Sequence, residues 1–287
     1  MPEMFSTEIK FDAYSPKEIA LRVEALGVGK ANLNLLTKLT LAILAGVFIA
    51  FGAMLFTLVV HDSKLSFGLT QLVGGLSFCL GLILVVVAGA ELFTGNNLLV
   101  IAAISQKITM RQLVRNWTIV YIGNFIGALS MVFWIYLTRQ WAANSNLVGA
   151  KALLIANAKV NLTFLVAFSR GVLCDALVCL AVWLCISCRS TTDKILSIIF
   201  PITAFVALGF EHSVANMYFI PIGMLLKNNA VVLEAVATMT GKVNDFSSLT
   251  VQGFLVNNLL PVTLGNIVGG GVLVGLVYWF VYLRAHK

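Results

Sequence analysis

Hydrophobic positions fall along this chain in six runs, each long enough to cross a bilayer and each parted from the next by a polar stretch. About 20 apolar residues in a helix cross a ~30 Å hydrocarbon layer. The pattern predicts spans over residues 35–60, 71–104, 116–137, 164–186, 195–226 and 253–283. Runs two and five overshoot one straight helix, and both hold a polar interruption, over 89–97 and 208–216. Ser15-Pro16 followed by Ile19, Val23 and Leu26 predicts a short amphipathic helix lying on the membrane surface, within a segment 1–34 outside the spans. Residues 138–163 and 227–252 read as polar connections, and 284–287 as a basic tail.

The two interruptions match one another. Gly89, Glu91 and Asn96 recur at the same offsets as Gly209, Glu211 and Asn216. In the spans that follow, Gly123-Asn124-Phe125-Ile126-Gly127 answers Gly265-Asn266-Ile267-Val268-Gly269, and Gly46 is expected to answer Gly171. The chain therefore reads as two repeats, 35–137 and 164–283. Three spans per repeat is an odd number, so the halves enter the membrane from opposite sides and the repeat is inverted. The fold expected is an all-α membrane protein of six spans with two broken helices.

Composition narrows the class. Hydrophobic residues make up 60% and charged residues 11% of the 287 positions, far from the roughly 25% charged of a soluble domain. The net charge of +7 does not point to nucleic acid, because the bases lie between spans, where they set topology. Twelve Lys and Arg fall on the side of the termini against six on the other, which predicts both termini in the cytoplasm. The N-terminal segment lacks an apolar core of signal-peptide length and reads as uncleaved. Five cysteines within or beside apolar runs suit packing rather than a disulfide framework, and no metal or cofactor is expected. One intramembrane histidine, His212, cannot supply the usual ligand pair of a haem. Paired Asn-Pro-Ala motifs of a water channel are absent.

A helix broken at mid-membrane exposes backbone groups that hydrocarbon cannot satisfy, so each break must be buried in protein or line a watery cavity. Helices that restart there aim free amides and positive dipole ends inward, which suits an anion. Thr94 adds a hydroxyl, Asn96 and Asn216 are expected to cap the restarted helices, and His212 adds a titratable donor. Imidazole titrates near ~6.5 when unperturbed, which fits a permeant moving as an anion or its weak acid. The alternative is a hydrogen-bonded structural histidine. Glu91 and Glu211 either are protonated or accept hydrogen bonds that hold the breaks in shape. Phe78, Leu82, Phe93, Phe205 and Val178 lie around the centre, either as dry constrictions or as ordinary core.

Val86-Val87-Ala88-Gly89-Ala90-Glu91-Leu92-Phe93-Thr94-Gly95 and Gly209-Phe210-Glu211-His212-Ser213-Val214-Ala215-Asn216-Met217 resemble the signatures of the formate/nitrite transporter family, and the likeness runs from the first span to the tail. The resemblance implies an aquaporin-like protomer in a homopentamer of the bacterial inner membrane, with a pore in each protomer. By position it implies Thr94 and His212 as the central polar pair, constrictions at Leu82, Phe78, Phe93 and Phe205, Lys159 in the outer vestibule, and Asn266 as a pore-side amide. The tail Tyr278-Trp279-Phe280-Val281-Tyr282-Leu283-Arg284 resembles the formate branch, whereas Thr94-Gly95 is shared with the nitrite and hydrosulfide branches. Two positions depart from the family. Asp175 stands where the family has an asparagine bonded to the central histidine; if that contact is kept, the carboxylate stabilises an imidazolium. Arg170 either restores positive potential at the pore mouth or reaches lipid phosphate. The implied function is a channel for formate or a similar small anion, with a proton-coupled secondary transporter as the alternative.

Overall fold

A computed structural model describes residues 13–284 and places in them eleven helices of ten or more residues, besides one short turn of helix at Gln140–Ala142. In chain order they are α1 Pro16–Asn32, α2 Leu35–Val60, α3 Phe67–Gly89, α4 Gly95–Ile104, α5 Met110–Thr138, α6 Leu147–Val160, α7 Phe164–Ser187, α8 Thr191–Ala207, α9 Ser213–Leu226, α10 Ala230–Thr240 and α11 Gly253–Tyr282. The first twelve residues of the N-terminal segment and 285–287 of the tail lie outside the described residues. Starts are set locally: Ser15 with Glu18, Thr109 with Gln112 and Ser190 with Asp193 form capping boxes that satisfy the first free amides of α1, α5 and α8.

Among the described residues five helices, α2, α3, α5, α7 and α11, are long and apolar enough to cross a membrane alone. The fifth predicted run is instead divided into α8 and α9 by a break at residues 208–212, and α9 meets α10 at 107°. The second is divided likewise, α3 ending at Gly89 and α4 restarting at Gly95. The breaks are shorter than the predicted interruptions because Asn96, Asn97 and residues 213–216 already belong to the restarted helices.

Three expectations about the helices need correction. The stretches 138–163 and 227–252 are not plain connections, since they contain α6 and α10; both helices are too short to span, so a search for membrane-length runs passes over them. Helix α5 begins six residues before the predicted span, putting Arg111 and Arg115 on its first turns. Helix α1 forms, but of its apolar stripe only Leu26 is left exposed, while Ile19 and Val23 turn inward. Ile19, Ala20 and Val23 are buried against Leu98, Ile101, Trp183 and Val274, where protein packing removes them from solvent.

The repeat is visible in side-chain contacts. Gly127 of α5 lies so close to the Ile43 carbonyl of α2 that a Cβ there would overlap it, and Gly269 of α11 stands in the same relation to the Val172 carbonyl of α7. Only glycine permits such backbone approach. The pairing of Gly46 with Gly171, however, is off by one helical turn. Asn124 donates to the Ala42 carbonyl and Asn266 to the Gly171 carbonyl, so Ala42 answers Gly171 and Asp175 occupies the place of Gly46.

Candidate functional site

The two breaks are built from the same bonds. Gly89 and Gly209 take φ of +90° and +70°, a conformation that L side chains resist, and so end α3 and α8. The next amides turn back: Ala90 N–H donates to the Val85 carbonyl at 2.9 Å and Phe210 N–H to the Phe205 carbonyl at 3.0 Å. Asn124 then clamps the first break, accepting from Phe93 N–H at 2.9 Å and donating to the Ala42 and Glu91 carbonyls at 2.7 and 2.9 Å. Asn266 clamps the second in the same way, accepting from Ser213 N–H at 3.0 Å and donating to the Gly171 and Glu211 carbonyls at 2.9 and 3.0 Å. Both amides are fully buried, and their bonds hold backbone. Asn266 therefore sits within the scaffold of the break.

Each break also anchors a ring of four polar side chains. In the first, Lys30 pairs with Glu91 at 2.8 Å, Glu91 accepts from Asn96 at 2.7 Å, Asn96 donates to Asn116 at 3.0 Å, and Asn116 donates back to the Lys30 carbonyl at 3.2 Å. In the second the sequence is Lys159, Glu211, Asn216 and Asn258, with distances of 2.9, 2.6, 2.7 and 2.9 Å. Asn96 and Asn216 are thus ring members and not helix caps; a cap must precede the helix, and both lie inside it. The glutamates act in shaping the breaks, one of the two readings open in sequence, but their partners are a lysine and side-chain amides. Lys30 of α1 and Lys159 of α6 occupy equivalent places. The repeat therefore extends to α1, and the segment before the first span is part of it.

Between the breaks Thr94 Oγ1 and His212 Nε2 meet at 2.9 Å. His212 is also the N-cap of α9: its Nδ1 accepts the Ala215 N–H at 3.0 Å. A backbone N–H can only donate, so Nδ1 carries no proton and the neutral ring holds its hydrogen on Nε2. Nε2–H then donates to Thr94, whose own hydroxyl proton is left to offer elsewhere. The Phe205 ring lies over the imidazole at 5.9 Å and meets Phe78 edge-on at 5.6 Å.

Two cavities lie beside the breaks; His212 lines one of them and the buried Thr94 lines neither. One of about 1070 Å³ lies beside α1 and is lined by Arg22, Lys30, Lys194, Glu91, Leu82 and Leu92 among others. The other, about 260 Å³ beside α6, is lined by Lys151, Lys159, Arg170, Glu211, Phe78, Phe205 and His212 among others. Each presents three cations to one carboxylate, and that carboxylate is already paired with lysine. The net field in both favours an anion.

Phe93 lines neither cavity. It packs against Trp117 and Tyr121 at 6.3 and 4.9 Å, while its neighbour Leu92, which sequence reasoning missed, faces the α1-side cavity. Val178 is buried in the core and lines neither. Asp175 does not bond His212; it accepts from Asn97 at 2.6 Å, with the Cys179 sulfur 3.9 Å away. The contact expected with the imidazole is replaced because His212 spends its two nitrogens on Thr94 and Ala215. Lys30, Asn116 and Asn258 were also missed. A repeat search that included the segment before the first span would have paired Lys30 with Lys159.

The model of the formate/nitrite transporter family matches residues 17–280. The chain belongs to that family. Formate channel FocA of Escherichia coli (strain K12) is 44% identical over 275 residues, covering 96% of each chain. A probable formate transporter of Methanothermobacter thermautotrophicus is 39% identical, with 94% of this chain and 97% of that one covered. A solved pentameric formate channel with formate bound superposes with a TM-score of 0.77 at 43% identity, over 87% of this chain and 98% of that one. Family membership makes this an integral membrane transport protein and not an enzyme, with the all-α, six-span, aquaporin-like fold read from sequence.

Proposed function

We propose that this protein is a homopentameric channel for formate or a similarly small monovalent anion in the bacterial inner membrane, with both termini cytoplasmic and a pore through each protomer. The observation that carries the reading is the Thr94–His212 bond set between two cavities whose uncompensated charges are positive. An anion drawn into the α6-side cavity meets His212 in its wall, and passage to the other cavity must part the buried Thr94–His212 pair and so expose the spare hydroxyl proton of Thr94. Phe78 and Phe205 on one side and Leu82 with Leu92 on the other form dry walls, which discriminate by size and hydration. The excess of Lys and Arg on the side of the termini supports their cytoplasmic placement. Relatives named as formate channels, one of them pentameric, support the substrate and the assembly.

The test is uptake into liposomes carrying the purified protein, with formate, nitrite and hydrosulfide compared side by side at two pH values. Single-channel-sized formate currents are expected. A slow, saturable flux strictly coupled to protons would replace the channel with a secondary transporter, and nitrite or hydrosulfide outrunning formate would reassign the substrate.

A further inference from the structure

Asp175 is fully buried on α7, and the hydrogen-bond geometry fixes which way its partner points. The Asn97 amide nitrogen donates both to Asp175 Oδ2, at 2.6 Å, and to the Asn266 carbonyl, at 3.2 Å, so this end of the amide must be the nitrogen. That leaves Asn97 Oδ1 and Asp175 Oδ1 as buried oxygens without a hydrogen-bond donor, on the two side chains already bonded to one another. No cation pairs with Asp175 among the described residues, whereas Glu91 and Glu211 each have a lysine. An ionised carboxylate there would be a buried unpaired charge with one oxygen unsatisfied, the costliest state for such a group.

One proton resolves both faults. On Asp175 Oδ1 it removes the charge and supplies a donor, and Asn97 Oδ1, on the same partner, is an oxygen that lacks one. We propose that Asp175 is carried as a neutral carboxylic acid, joined to Asn97 in a reciprocal acid–amide pair, and that it is a positioning residue for Thr94. The pair pins the first turn of α4, since Asn97 follows Thr94 by three residues and Cys179, one turn along α7 from Asp175, donates to the Thr94 carbonyl at 3.3 Å. Space for the carboxyl exists because residue 270 is glycine; a Cβ there would overlap Oδ2. Neutrality has a second effect, resting on the anion-channel reading above: no fixed negative charge stands behind the threonine that meets the permeant.

Infrared spectroscopy of the full-length protein in liposomes at pH 7 tests the charge state directly. The expected result is a protonated-carboxyl stretch that shifts on ¹³C-aspartate labelling and vanishes in Asp175→Asn. The asparagine variant rebuilds the pair as amide with amide, so its formate flux is expected within about twofold of the parent, whereas Asp175→Ala, which strands Asn97, loses tenfold or more. Absence of any aspartate-derived carboxyl band in protein that conducts formate overturns the proposal and leaves the channel intact. The band present in protein that does not conduct formate upholds the charge state and sinks the channel reading instead. Equal flux from the asparagine and alanine variants refutes the positioning role.

Discussion

His212 has two jobs that a substitution can separate. Its Nδ1 caps α9 and its Nε2 meets Thr94. Asparagine is among the best helix caps, so His212→Asn is expected to assemble normally while the pH dependence of transport disappears, because an amide does not titrate near neutrality. His212→Ala loses the cap as well, and its thermal unfolding should show a further loss of about 1 kcal/mol. If pH dependence survives in the asparagine variant, the imidazole is not the titrating group. At this scale the sequence reveals residue types better than directions. Thr94 and His212 stood out as polar groups in apolar runs, and they do meet. Phe93 and Leu92 could not be told apart, because a broken segment has no helical period to say which of two neighbours faces a cavity. The partner of Asp175 was equally hidden, since Asn97 lies in another helix.

The two polar rings use the same side chains, yet their surroundings differ. The Lys159 side chain is 15% exposed and that of Lys30 32%, with both glutamates nearly enclosed. Removing a carboxylate strands its lysine, and a stranded charge costs more the less water reaches it. Glu211→Gln is therefore expected to destabilise by about 3 kcal/mol, and Glu91→Gln by about 1 kcal/mol, since the more exposed Lys30 regains solvent. Thermal unfolding of the two variants in one detergent checks the order, and a larger loss for Glu91→Gln would show that the rings are not governed by burial. Long apolar elements were legible at their full length, as with α2, predicted and found over residues 35–60. Helices α6 and α10 were not, because their apolar faces cover protein without spanning anything. The docking of α1 was missed for a related reason: amphipathicity states that a face must be covered, not whether lipid or Trp183 covers it.

Across the whole molecule, the inverted repeat sets a positive cavity on each side of one central pair. Part of this was readable, since three spans per half dictate inversion and the matched Gly, Glu and Asn offsets locate the breaks. The cavities themselves were not, because Arg22 and Lys194, or Lys151 and Arg170, are brought together only by packing. Arg170 lines the α6-side cavity, so of its two readings the geometry favours the pore mouth. Its charge acts through a water-filled mouth, where screening falls within ~10 Å at 0.1 M salt and ~3 Å at 1 M. Arg170→Gln should therefore lower formate entry from the α6 side several-fold in dilute buffer and leave it nearly unchanged near 1 M salt. Formate flux into liposomes of fixed orientation, measured over a series of ionic strengths, gives both limits. Steering by the cavity field requires parent and variant to converge as salt rises. A deficit of constant size would instead mean that the Arg170 side chain acts through its shape and packing at the cavity wall and not through its charge.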